Sequence, residues 1–198
     1  MAGPHEQLEH AEHAEHAGHG GNKKIALLIS VLALFLAFSE TLGKSAQTSA
    51  IADNIKASDT WNFFQAKTIR QTVLRTSADS FSTQAATVTN DEAKAAMTKQ
   101  AETWRATAAR YESDPKEKDG RKELRALAEK YEHDRDTSLA RYHHYEFASA
   151  AFQIGIVLAS AEVITGMVML GWISGLLGIF GLGFMAIGLW APHAIHLL

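Results

Sequence analysis

Cysteine is absent from the 198-residue chain, which excludes disulfides, thiolate metal sites and cysteine nucleophiles. Strong helix breakers are also scarce: between Leu42 and Ser113-Asp114-Pro115 the only break is Thr89-Asn90-Asp91-Glu92, which reads as a turn followed by a helix N-cap. No excess of one charge is present either. The formal net charge is -3 and the central residues mix Lys and Arg with Asp and Glu, so there is no basic field for nucleic acid. Missing too are a Walker-type glycine loop, a dinucleotide fingerprint, a Gly-x-Ser-x-Gly elbow, a His-Glu-x-x-His pair and an EF-hand loop. No reaction has positive support, and the chain is read as a non-enzyme.

What is present is a segregated distribution of apolar residues. The hydrophobic share of 46% is ordinary as an average, yet it is concentrated in residues 25–42 and 147–190. Residues 25–42 carry only Ser30, Ser39, Glu40 and Thr41 as polar interruptions and as a helix reach about 27 Å, enough to cross a bilayer. A cleavable signal peptide is the competing reading of this stretch, with Lys23-Lys24 ahead of it and small residues behind. Residues 147–190 divide naturally into two crossings, a hairpin turning near Gly171 to Gly175. Trp172, Trp190, Tyr142, Tyr145 and Phe147 fall where aromatic rings favour a membrane interface.

The hairpin is dense in glycine. Gly166, Gly171, Gly175 and Gly178 are read as a helix-packing face, with Gly171 and Gly175 at the four-residue spacing that lets backbones approach; the alternative is that they only relax the turn.

Between the apolar blocks the pattern is helical. The first apolar helix is expected to continue past Leu42, with Ile51, Ile55, Phe63, Ala66, Ile69, Val73, Phe81, Ala85 and Val88 as its buried stripe. Ala93, Met97, Ala101, Trp104, Ala108 and Tyr111 follow at steps of three and four, the clearest amphipathic helix in the chain. Leu124, Leu127, Tyr131, Leu139, Tyr142 and Tyr145 carry a looser stripe into the second apolar block. Such narrow, Ala-rich stripes suit a coiled-coil-like hairpin better than a large core. Trp61, Phe63, Phe64 and Trp104 are read as core in preference to a binding site.

Two features carry possible chemistry. His10, His13, His16 and His19 recur every third residue, each preceded by an acid or a small residue, a pattern able to collect zinc, nickel or copper; the alternative is a solvated low-complexity tail. Glu162 lies about midway through the second apolar block, with Gln153 as the other intramembrane polar residue. A carboxylate there is costly, which makes it either a proton or cation site or a neutral acid hydrogen-bonded across a subunit contact.

The stretches EHAEHAGHGGNKKIALLISVLALFLAF and ASDTWNFFQAKTIRQ resemble a family of bacterial membrane proteins catalogued only as a domain of unknown function, with residues 57–67 the most specific part. The resemblance implies a bacterial membrane protein and supplies no ligand or catalytic residue. The expected organisation is an all-α membrane protein with three transmembrane helices: a tail over 1–22, spans over 23–43, 147–171 and 173–192, a helical extramembrane segment over 44–146, and a short end over 193–198. The expected location is the bacterial inner membrane, multi-pass. The expected role is a scaffold that self-associates or joins other membrane subunits in the lipid bilayer; the alternative is an ion or proton pathway using Glu162 with the His-rich tail.

Overall fold

The computed structural model describes residues 20–194, and these form four α-helices with no strand. They are α1 (Gly20–Ala85), α2 (Asp91–Glu112), α3 (Arg121–Thr165) and α4 (Val168–Trp190). At 66 residues α1 is about three times as long as a bilayer crossing needs, and it continues well past Leu42 as the lack of breakers predicts. Three helices, α1, α3 and α4, are long and apolar enough to cross a membrane; their most apolar 18-residue windows have mean hydropathies of 2.3, 1.7 and 1.9. The described residues divide into two compact units, to both of which α1 and α3 contribute.

One unit contains residues 20–48 and 137–194. Its centre is Leu32, Ala148 and Phe152, with Leu28, Phe35, Leu36, Ile156, Phe184 and Met185 packed around them. The inner line of α4 is Gly171, Ser174, Gly178, Gly181, Met185 and Gly188, at steps of three and four. Five of these six positions are glycine or serine, so neighbouring helices come close to the α4 backbone: the Phe152 ring lies against Gly181, Leu32 against Gly178 and Tyr145 against Gly188. Trp172, Leu176, Ile179 and Trp190 point the other way, each more than 60% exposed. Two buried hydroxyls tie the helices through main-chain acceptors. Ser39 donates to the Tyr145 carbonyl at 2.9 Å and Ser174 to the Gly155 carbonyl at 2.7 Å.

The turn between α3 and α4 corrects the sequence reading. It falls at Gly166–Met167, and Gly171 and Gly175 lie inside α4. Gly166 has φ 71°, a left-handed conformation that closes α3 through its amide to the Glu162 carbonyl at 2.8 Å. Of the four glycines expected on a packing face, Gly171 and Gly178 do pack, Gly166 makes the turn, and Gly175 has no atom within contact range of a side chain placed there.

The other unit, Ser49–Asp136, contains the end of α1, all of α2 and the start of α3. α2 and then α3 return along α1 in sequence, so that Phe81 meets Trp104, Gln71 meets Ala108 and Trp61 meets Glu132. The returning helices run antiparallel to α1 and are interrupted between Glu112 and Arg121. α2 begins as its sequence indicates, with Asn90 accepting from the Ala93 amide at 3.0 Å, and it buries Ala101 and Ala108.

α1 departs from expectation. Its buried positions in this unit are Ala50, Ala57, Gln71, Ala78 and Ala85, which with half-buried Phe64 recur every seven residues, and Lys67, which with half-buried Leu74 lies three residues further on in the repeat. Ile51, Ile55, Phe63, Ile69 and Val73, expected inside, are 43 to 65% exposed. Of the expected stripe, Ala85 is buried and Ala66, Phe81 and Val88 are half-buried. A search for large apolar residues finds the outer stripe because the inner one is built from alanine. On α3, Leu124, Tyr131, Tyr142 and Tyr145 face inward as expected, whereas Leu127 and Leu139 are exposed.

A side chain at Gly181 would sit 2.7 Å from the fully buried Phe152 ring. Gly181→Leu is therefore expected to cost about 1–3 kcal/mol by overpacking. Gly183→Leu, with open space around it, is the control and leaves the detergent-solubilised melting temperature unchanged by circular dichroism.

Candidate functional site

Glu162 is the buried acid of the apolar unit, 8% exposed. It lies one turn before the end of α3 at Thr165, so the midway placement read from the sequence is corrected: the hairpin turns earlier than expected and Glu162 sits beside the turn. Its carboxyl group rests on the first turns of α4, against the Cα of Gly171, where a side chain would come within 2.8 Å of the Glu162 Cδ. The partial positive charge of a helix N-terminus favours an acid at this place. Among the described residues Oε2 has no hydrogen-bond partner. Glu162 lines a cavity of about 410 Å³ whose other walls include Lys24, Leu28, Trp172, Gly175, Leu176 and Ile179. Lys24 was not foreseen beside Glu162, since nothing in local spacing links residues so distant in the chain.

Gln153 is exposed and donates to Glu40 Oε1 at 3.3 Å, so the two polar residues of the second apolar block do not share a site. His144 is fully buried, its Nε2 at 3.0 Å from the Pro192 carbonyl, and His193 meets the Thr137 hydroxyl at 3.1 Å. Both therefore hold the chain just beyond α4 against α3. His10, His13, His16 and His19 lie outside the described residues; within those residues no three His, Asp or Glu side chains gather as a metal site.

The second polar cluster lies at the interruption between α2 and α3, and it is built on residues 57–67 and their continuation. Lys67, 5% exposed, reaches Asp119 at 2.6 Å and lies over the rings of Phe63 and Tyr111. Gln71, 2% exposed, donates to the Ala108 carbonyl and to Glu112 Oε2, both at 2.9 Å, and accepts from Arg121 at 2.7 Å. Arg121 also reaches Glu112 at 2.8 Å and Thr68 at 2.9 Å, and stacks on Phe64. The turn itself is closed by Glu123, which accepts from the Ser113 hydroxyl and the Asp114 amide. Gly120 allows it, because a side chain there would lie 2.7 Å from the Ser113 Cα. Every hydrogen-bonding group of Gln71 is used, which is the condition under which a buried polar network is tolerated. Lys67 and Gln71 escaped the sequence reading because a charged or amide side chain on a helix is ordinarily solvated.

Among the described residues these features define an all-helical arrangement with three helices apolar enough to cross a membrane, a small-residue packing line and two buried polar sites. The chain belongs to the family described as a domain of unknown function, DUF4337, whose match spans residues 21–191. No curated protein and no solved structure matches it. Within residues 57–67, a segment that carries the resemblance, Phe64 and Lys67 meet Arg121 and Asp119 at the α2–α3 turn, and Trp61 donates to Glu132 further along α3.

Hydrogen bonding from Gln71, with the Arg121 and Arg75 charges, holds the Glu112 carboxyl below its ordinary range. A depressed folded-state value stabilises the fold above the unfolded value of about 4.3 and is lost as pH falls through the folded value. Gln71→Leu is therefore expected to cost about 1–3 kcal/mol near neutrality, by stranding its partners. The deficit in thermal melts narrows by pH 3; an equal deficit at both pH values would contradict the assignment.

Proposed function

We propose that the chain is a non-enzymatic integral membrane scaffold that crosses the bilayer three times and assembles as a homo-oligomer. The bilayer reading is supported by large apolar side chains turned outward and small ones inward on α4, the arrangement that suits helices packing in lipid, where close backbone approach replaces the hydrophobic drive. The observation that carries self-association is the outer stripe of α1. Ile51, Ile55, Ile69 and Val73 are each more than half exposed, although α1 already uses its opposite, alanine-rich line for α2 and α3. A second line of β-branched residues on one helix suits pairing with another copy.

A second reading, a proton or cation pathway, draws on the buried Glu162 with its unpartnered Oε2. Liposome flux that is equal in wild type and Glu162→Gln would remove that support.

Because the sequence has no cysteine, single-cysteine variants test the oligomer cleanly. Ile55→Cys and Ile69→Cys are expected to form disulfide-linked dimers on mild oxidation in membranes, whereas Arg70→Cys, exposed on a different line of α1, is not. Ile55→Lys with Ile69→Lys should shift the detergent-solubilised chain to a monomer by light scattering. A wild-type monomer at every concentration would overturn the reading.

A further inference from the structure

We infer that the cavity beside Glu162 binds a phospholipid whose headgroup carries a primary ammonium, such as phosphatidylethanolamine. The inference rests on the bilayer reading above, since a groove on helices that cross a membrane is filled by lipid or by protein. Three observations select the headgroup. The wall is apolar along Leu28, Trp172, Leu176 and Ile179, a surface for an acyl chain. Lys24 stands on the same wall and matches a phosphate. Glu162, nine-tenths buried on that wall, has a carboxylate oxygen, Oε2, packed against Gly171 with no donor among the described residues. An unmet buried acceptor calls for a donor, and leaving it unmet is costly.

A primary ammonium has three N–H donors and a positive charge, so it satisfies Glu162 while the phosphate of the same headgroup meets Lys24. A choline headgroup has the charge without a donor. A glycerol headgroup has hydroxyl donors without the charge. Glu162 also stands at the right depth: it is three residues from the end of α3, about 4.5 Å along the helix, which places it near headgroups once that end is at the interface. Gly175 adds the room, because nothing lies within contact range of a side chain placed there and the residue lines the cavity.

The test is native mass spectrometry of the full-length protein, delipidated in detergent and titrated in parallel with phosphatidylethanolamine, phosphatidylcholine and phosphatidylglycerol of the same acyl chains. Wild type is expected to retain the ethanolamine lipid about tenfold better than the other two, a difference of about 1.4 kcal/mol. Glu162→Gln, of the same shape, should abolish that preference while keeping the wild-type melting temperature. Gly175→Leu, which fills the cavity without touching Glu162, should lower retention of all three lipids. Equal retention of the three lipids by wild type overturns the inference, as does an unchanged preference in Glu162→Gln. Alkaline carbonate extraction of the source membranes separates the two levels: release of the chain would sink the bilayer reading itself, whereas retention in the membrane without lipid preference would sink this inference alone.

Discussion

Close approach of helix backbones through small side chains is the constraint on which the rest of the structure depends. In the apolar unit the line Gly171, Ser174, Gly178, Gly181 and Gly188 leaves room for Phe152, Leu32 and Tyr145 to lie on the α4 backbone. In the other unit Ala50, Ala57, Ala78 and Ala85 do the same for α1 against its returning partners. Where helices pack this closely, on the α4 line and along α1 in the second unit, large side chains such as Trp172, Leu176, Ile179, Ile51 and Ile69 are turned outward. The exposed apolar faces of α4 and of the outer side of α1 go with this packing.

Small side chains fix proximity but specify register poorly, since one alanine packs much like the next. Polar groups supply what the alanines lack. Lys67 and Gln71 stand on the buried line of α1, and their partners Asp119, Ala108, Glu112 and Arg121 come from α2, the turn and α3. A slip of one turn would strand all of these groups, a cost of several kcal/mol against a weak preference among alanines. In the apolar unit Ser39 and Ser174 act in the same way through the Tyr145 and Gly155 carbonyls. Buried polar residues at seam positions are a known means of fixing coiled-coil alignment.

This division explains which parts could be read from the sequence. The seam of α2 was legible because Met97, Trp104 and Tyr111 alternate with Ala101 and Ala108, so size marks the buried side. The seam of α1 was not, because alanine has no distinctive size and the isoleucines lie on the opposite stripe. The hairpin was legible as two apolar runs, yet its turn was misplaced, since glycine serves both turns and close packing and only Gly166 adopts the left-handed conformation. Of the candidate site, Glu162 was legible as a carboxyl among apolar residues. Its neighbours Lys24 and Gly171 were not, because they meet only when three helices assemble.

Glu162 belongs to the same account, since its carboxyl occupies the space that glycine leaves at position 171. The central claim is that in the unit Ser49–Asp136 α1 packs through its alanines and not through its isoleucines. Thermal unfolding of Ala57→Leu and Ala78→Leu, set beside Ile55→Ala and Ile69→Ala in detergent at concentrations where the chain is monomeric, tests it most directly. Ala57 is 3% exposed and Ala78 0%, so both leucine variants should unfold at lower temperature while the alanine variants match wild type. The reverse order, with the isoleucine truncations destabilising and the leucines tolerated, would contradict it.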